Sequence, residues 1–150
     1  MSLKVQLRSD LTEAMRAKDD VRRSTLRMAL TAITNEEVAG KQSRELTDDE
    51  VVKVLARELK KRNEAATAFA DAGQRERADA ELAEAQILES YLPAQLSDDE
   101  VAGVVTAAIN ELGVSGPQAM GQVMKVVQPT IAGRADGGRV AAEVKRQLTG

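Results

Sequence analysis

The sequence contains no histidine and no cysteine among its 150 residues. Without histidine, the chain lacks the side chain that most often serves as a general base near neutral pH. Without cysteine, it lacks thiolate nucleophiles, disulfides, zinc–thiolate sites and iron–sulfur ligation. These absences exclude Ser–His and Cys–His hydrolases, HExxH metalloproteases and zinc fingers. We therefore expect no catalytic residue, no metal site and no bound cofactor.

Aromatic residues are nearly absent, since the chain holds only Phe69 and Tyr91. This scarcity argues against an aromatic-rich β-sandwich or barrel and against the stacking platforms that bind single-stranded nucleic acids. No charged N-terminal segment precedes an apolar run, and no stretch approaches the ~18 apolar residues of a membrane span. We expect a cytoplasmic protein without a membrane partner. The net charge is −3, so nucleic-acid binding would require a local basic face.

Glycine and proline are unevenly distributed. Residues 1–93 hold two of the ten glycines and end with the first proline, Pro93, whereas residues 94–150 hold the other eight glycines, Pro117 and Pro129. Long helices with short turns are expected in the first part, and shorter helices separated by loops in the second. We predict an N-terminal helical bundle over residues 1–93 and a C-terminal module over residues 94–150.

Apolar residues recur at helical spacing through most of the chain, and no segment alternates long enough to indicate a strand. The fold should be all-α, with a bundle of about four helices followed by a three-helix module. The apolar face of the first helix is predicted to consist of Leu3, Leu7, Leu11 and Met15. Gly121 falls inside the sixth helix, where it costs ~1 kcal/mol relative to alanine. We attribute it to the close approach of a neighbouring helix.

Helix ends are marked by several local signals. Thr47-Asp48-Asp49-Glu50 and Ser97-Asp98-Asp99-Glu100 have the spacing of capping boxes. Their carboxylates could instead form acid/base pairs or bind magnesium, but first-turn acids that complement the helix dipole explain both clusters without a ligand. We predict that Pro129 ends the sixth helix and that Asp136 opens the seventh.

Two stretches carry an excess of positive charge. In the first, Lys53, Arg57, Lys60, Lys61 and Arg62 are opposed only by Glu58, and they form either a solvated face or a contact for an anionic partner such as RNA. From Gly113 to the C-terminus, five basic residues face two acidic ones. These five are the predicted nucleic-acid contacts: Lys125, Arg134, Arg139, Lys145 and Arg146.

Two glycines in the same region, Gly133 and Gly137, could let a phosphate approach the backbone at a helix start. The competing interpretation is structural. In that reading Asp136 caps the last helix, and Arg134 pairs with it or with the end of the preceding helix. The residues alone leave both readings open.

Five motifs, in this order along the chain, together resemble the GatB/YqeY family. They are Ala14-Met15-Arg16-Ala17-Lys18-Asp19, Leu26-Arg27-Met28, Glu89-Ser90-Tyr91-Leu92-Pro93, Met120-Gly121-Gln122-Val123-Met124 and Gly133-Arg134-Ala135-Asp136-Gly137. The resemblance covers essentially the whole chain. It rests on the combination, since any one of these motifs alone is weak.

The resemblance implies a small bacterial protein similar to the helical tail of the B subunit of the tRNA-dependent amidotransferase, a glutamine-dependent carbon–nitrogen ligase. In that enzyme the ATP-dependent chemistry resides in a separate catalytic domain, and the tail recognises tRNA. A ligase label would therefore be inherited by similarity, because this sequence contains only the tail-like portion and no activated nucleophile. The sequence does not indicate the oligomeric state.

The function implied by the resemblance is a non-catalytic module that binds tRNA, or an amidotransferase or aminoacyl-tRNA synthetase complex. The alternative is a protein-interaction adaptor that makes no contact with RNA, because alanine-rich helices and an acidic net charge suit protein docking equally well.

Overall fold

The computed structural model describes residues 2–150, and these contain seven α-helices, one 3₁₀ helix and no strand. The all-α prediction is confirmed. The chain forms two compact units, of which the first ends at Leu92 and the second begins at Pro93. The α-helices are α1 (Leu3–Arg16), α2 (Asp20–Glu37), α3 (Asp48–Asp71), α4 (Arg75–Glu89), α5 (Asp98–Leu112), α6 (Met120–Ile131) and α7 (Gly137–Thr149). The 3₁₀ helix, Pro117–Ala119, directly precedes α6.

The first unit packs α1 to α4 around one apolar core. Its fully buried large side chains are Leu7, Leu26, Ile33, Val51, Leu55 and Leu88. Met15, predicted to share the apolar face of α1, is instead 47% exposed. Residues four apart advance about 40° beyond a full helical turn, so three such steps carry Met15 about 120° away from Leu3. Ala14 takes the buried position instead.

A buried ion pair joins the beginning of α1 to the end of α2. Lys4 Nζ lies 2.8 Å from both carboxylate oxygens of Glu37, and the two side chains are only 11% and 10% exposed. The backbone amide of Leu46 donates to Glu37 Oε2 at 3.1 Å. Hydrogen bonds from the Lys4 ammonium and then from the Leu46 amide lower the pKa of Glu37. This carboxylate therefore also fixes the connection that leads into α3.

A second polar cluster holds the end of the first unit. The Tyr91 hydroxyl donates to Asp10 Oδ2 at 2.5 Å, and an Arg22 guanidinium nitrogen lies 3.8 Å from the same oxygen. Burial, and then the hydrogen bond to the Asp10 carboxylate, raise the pKa of Tyr91. Because Tyr91 and Leu92 also pack against the first core, the residues after α4 are held against α1 and α2.

The second unit packs α5, α6 and α7 around a core of its own. The buried large side chains include Val101, Val105, Val123, Val127, Ile131, Val140 and Val144. Both predicted capping boxes are confirmed, at Thr47 for α3 and at Ser97 for α5. α5 ends at Leu112 and is capped by Gly113, whose φ of +64° is the left-handed conformation expected of a C-terminal glycine.

Two predictions for α6 are wrong. Pro129 does not end the helix, which continues to Ile131. Proline leaves the Lys125 carbonyl without its helical donor, but both residues are exposed, so water can take that donor's place. Gly121 does not mediate a close helix contact, because a Cβ atom built there would meet no heavy atom within 4 Å.

The Lys4–Glu37 pair generates the first prediction. Replacing Glu37 with glutamine leaves the Lys4 ammonium buried without a counter-charge, so we expect the Tm of the first unit to fall by roughly 5–10 °C at pH 7. A folded-state pKa below the ordinary value of 4.5 stabilises the protein above that pH, and the effect is lost as the pH falls through the lowered pKa. The difference in Tm should therefore shrink below pH 4.5.

Thermal unfolding followed by circular dichroism over a pH series measures this difference. Glu64→Gln is the matched control, because Glu64 is exposed and has no ion pair with the rest of residues 2–150. Equal Tm values for Glu37→Gln and Glu64→Gln would contradict a stabilising role for the buried pair.

Candidate nucleic-acid interface

All five predicted nucleic-acid contacts lie in the second unit. Lys125 is on α6, Arg134 is in the turn between α6 and α7, and the remaining three are on α7: Arg139, Lys145 and Arg146. Arginines and lysines differ in how they are bonded in the structure. The three arginines make contacts within the unit, whereas the two lysines are exposed and have no ion pair with any described residue.

Hydrogen bonds of Arg134 join the turn after α6 to the segment that precedes α5. Its Nε donates to the carbonyl of Ala94 at 3.0 Å, and its own carbonyl accepts from the amide of Leu96 at 2.8 Å. Its backbone amide donates to the carbonyl of Ile131, the last residue of α6, at 2.8 Å. Arg134 is thus built into the fold through both its side chain and its backbone.

Arg139 acts on the same segment from α7. One guanidinium nitrogen donates to the carbonyl of Leu96 at 2.6 Å, and another lies 3.5 Å from the carboxylate of Asp98. Gln95 adds a hydrogen bond from Nε2 to the carbonyl of Gly133 at 2.9 Å. We call this arrangement, residues 94–96 held by Gly133, Arg134 and Arg139, the clasp.

The two glycines predicted to admit phosphate differ in their surroundings. Gly133 has a φ of +73°, a left-handed conformation that favours glycine, and its carbonyl belongs to the clasp. Gly137 is exposed at the first position of α7, and a Cβ atom there would meet nothing within 4 Å. Asp136 caps α7 by accepting from the amide of Gly138 at 3.2 Å. The predicted structural role of Asp136 is confirmed.

Arg146 is engaged by a neighbour on its own helix. Its Nε and one terminal nitrogen donate to the two oxygens of Glu143 at 2.9 and 2.5 Å. The Arg146 guanidinium, and then a hydrogen bond from Gln147, lower the pKa of Glu143 to about 2. Gln147 also donates to the carbonyl of Ala102 at 3.0 Å, which ties α7 to α5. The charge of Arg146 is therefore balanced locally.

The basic run on α3 is also used inside its unit. Arg57 lies 3.3 Å from Glu36 on α2, and Lys61 lies 3.3 Å from Glu58 on its own helix. Arg62 contacts Glu81 and Glu84 on α4 at 3.3 and 3.4 Å. Carboxylate partners are thus present for Arg57, Lys61 and Arg62, and the run does not form a free basic stripe.

Two further kinds of site were sought in the described residues, a metal centre and a membrane-spanning helix. Nowhere in residues 2–150 do three carboxylate, imidazole or thiolate side chains converge as a metal site would require. In the same residues, no helix has both the length and the apolar character needed to cross a membrane. The most developed polar arrangement in the second unit is the clasp.

The clasp was missed by sequence reasoning because its partners lie 38 to 43 positions apart. One local signal was available. An apolar residue directly before an N-cap commonly packs on the residue four positions after that cap, forming a hydrophobic staple. Leu96 and Val101 stand at these positions and are buried in one core, as are Leu46 and Val51 in the first unit.

A family model for YqeY-like proteins matches residues 4–148. The chain belongs to the YqeY-like family. The GatB/YqeY resemblance inferred from the motifs is thereby confirmed. It extends over both units, so the clasp and the exposed lysines all lie within the matched YqeY-like region.

Two curated relatives of this YqeY-like chain are named altered inheritance of mitochondria protein 41, mitochondrial. The protein from Clavispora lusitaniae is 29% identical over 129 residues, which cover 84% of this chain and 74% of the relative. The protein from Kluyveromyces lactis is 31% identical over 113 residues, which cover 74% of this chain and 60% of the relative. A bacterial origin and a cytoplasmic location stay predictions.

The clasp generates the second prediction. Replacing Arg139 with methionine leaves the carbonyl of Leu96 without its donor, so we expect the second unit to lose about 1–2 kcal/mol of stability. Hydrogen exchange at the Leu96 amide should become faster, because this amide belongs to the same clasp. Denaturant unfolding combined with amide hydrogen exchange measures both effects.

Arg146→Met is the control for that experiment. It removes an arginine from the same helix, but its ion pair is on the surface and should contribute little. If Arg139→Met unfolds at the same denaturant concentration as Arg146→Met and leaves Leu96 equally protected, the clasp does not stabilise the unit.

Proposed function

We propose that this YqeY-like chain is a non-catalytic helical module that binds tRNA through the second unit. The observation that supports the proposal is the state of Lys125 and Lys145. Both are exposed, and neither has an ion pair among the described residues. Their charges can therefore meet RNA phosphates without breaking a contact within the protein.

The structure narrows the set of residues that we assign to this role. Arg134 and Arg139 serve the clasp, and Arg146 is paired with Glu143. Since Asp98 and Glu143 balance part of the arginine charge, the number of neutralised phosphates should be close to two rather than five. A contact of that size predicts a shallow salt dependence, with a slope of log affinity against log salt of about −2.

The non-catalytic part of the proposal rests on side-chain chemistry. The chain has no cysteine to act as a nucleophile and no histidine, the base that most often activates the hydroxyl group of serine or threonine. Binding is therefore the activity that we assign to the module.

The proposal generates the third prediction. Reversing both charges in Lys125→Glu/Lys145→Glu should weaken binding of total tRNA at least tenfold at low salt and reduce the salt slope by about one for each lysine. Binding of fluorescently labelled tRNA to the full chain over a salt series measures both quantities. Circular dichroism verifies that the variant is folded.

The matched control is Lys53→Glu, which reverses the charge of an exposed lysine in the first unit. It should change tRNA affinity much less than the double variant. An unchanged affinity of Lys125→Glu/Lys145→Glu would rule out these lysines as the contact, and a wild-type chain that fails to bind tRNA at low salt would rule out the proposed function.

A protein-interaction adaptor is the second candidate, and one observation favours it. Of six exposed large apolar side chains among residues 2–150, five lie in the first unit: Val5, Met15, Val21, Val38 and Leu82. Exposed apolar residues of this kind suit contact with a protein partner. A complex that survives nuclease and high salt, and that is lost in Met15→Glu/Val21→Glu, would support this function over tRNA binding.

A further inference from the structure

Acidic residues are absent from a long stretch of the second unit. Between Glu111 and Asp136 the sequence has no aspartate or glutamate, and its only charged residues there are Lys125 and Arg134. This is unusual in a chain of which 30% is charged. α5 begins with three acidic residues and α7 carries Glu143, so α6 is the one α-helix of this unit that has no acidic residue to repel a polyanion.

The exposed face of α6 carries a row of three residues along its axis. Val123, Val127 and Ile131 point into the core and are buried, whereas Gly121, Lys125 and Gln128 are exposed. The spacing of the exposed three, i, i+4 and i+7, places them on one side of the helix. We call them the α6 row.

The polar side chains of the α6 row are available to a ligand. Neither Lys125 nor Gln128 makes a side-chain hydrogen bond or an ion pair within the described part of the chain. Their donors, and the amide oxygen of Gln128, therefore face water. Lysine and glutamine side chains are common donors to phosphate and ribose oxygens in RNA complexes.

Gly121 has no role in the fold that would require glycine. It lies in a helical conformation, and a Cβ atom there would meet nothing within 4 Å. An alanine would fit and would favour the helix by up to ~1 kcal/mol. A glycine at such a position leaves the helix backbone open to close approach from outside the protein.

We propose that the α6 row is the surface on which the sugar–phosphate backbone of tRNA lies, an inference that rests on the proposed function. Lys125 neutralises a phosphate, Gln128 bonds to phosphate or ribose oxygens, and Gly121 lets the RNA backbone come close to the helix. A protein partner fits this face less well. Val126, at 38% exposed, is the one large exposed apolar side chain described in the unit, so little apolar area is available for burial.

The test uses two substitutions in the full chain, both of which keep the positive charge of Lys125. Gly121→Gln fills the open space above the helix, and Gln128→Glu replaces an amide with a carboxylate of nearly the same shape. We expect each to weaken binding of labelled total tRNA roughly tenfold at fixed salt, a change of about 1.4 kcal/mol. Gly121→Gln should keep or raise the Tm, because glutamine favours a helix more than glycine does.

Both substitutions have matched controls on α5. Gly103 is also a helical, exposed glycine whose Cβ would meet nothing within 4 Å, and Asn110 is an exposed amide. Gly103→Gln and Asn110→Asp repeat the two chemical changes away from the α6 row. Both should bind tRNA within about twofold of the wild-type chain, a difference below ~0.5 kcal/mol.

The outcomes separate this inference from the function on which it rests. Loss of binding in the two α6 variants, with both controls unaffected, supports the inference. Wild-type affinity in Gly121→Gln and Gln128→Glu, while Lys125→Glu/Lys145→Glu still binds weakly, overturns the α6 row and leaves the proposed function standing. A wild-type chain that does not bind tRNA overturns both, and equal losses in the α5 controls overturn the assignment to α6.

Discussion

The structure depends on which groups accept hydrogen bonds from the unpaired amides at the helix starts. Almost the whole chain favours helix, so helix propensity alone does not determine where one helix begins. Side-chain oxygens accept from these amides at five of the seven α-helices, at Ser2, Asp19, Thr47, Ser97 and Asp136. The caps of α3 and α5 also bring Leu46 and Leu96 into the two cores, so each connection is anchored together with the helix that it starts.

The starts of α3, α5 and α7 could be predicted because each cap lies only two or three residues from the amide that donates to it. Predictions from local sequence fail where the outcome depends on helix geometry over several turns or on exposure to solvent. The four-residue spacing of Leu3, Leu7, Leu11 and Met15 looks like one face but drifts around the helix, which leaves Met15 exposed. Pro129 is tolerated within α6 because the carbonyl that loses its helical donor belongs to Lys125, which is exposed to water. The exposure of Lys125 could not be predicted from the sequence.

The candidate site was less predictable, since the sequence supplies charges but not their partners. Lys4 and Glu37 are 33 positions apart, and nothing local distinguishes them from surface residues, yet they form the buried ion pair of the first unit. Arg134 and Arg139 were predicted as phosphate contacts because of their positive charge, whereas their role in the clasp depends on the N–H groups of the guanidinium. A guanidinium offers several directed N–H donors, and backbone carbonyls can accept them as phosphate oxygens do.

This difference between arginine and lysine changes how the basic C-terminal region should be interpreted. In the second unit the three arginines bond to Ala94, Leu96 and Glu143, whereas the lysines extend into solvent. The guanidinium group of arginine is planar and loses little conformational freedom when it bonds to fixed acceptors, so it is well suited to joining two segments of a fold. A lysine ammonium is strongly hydrated and favours positions exposed to solvent. The charge that a partner meets is therefore smaller than the number of basic residues suggests. For the proposed RNA surface, the absence of acidic residues on α6 is therefore a better guide than the number of cations.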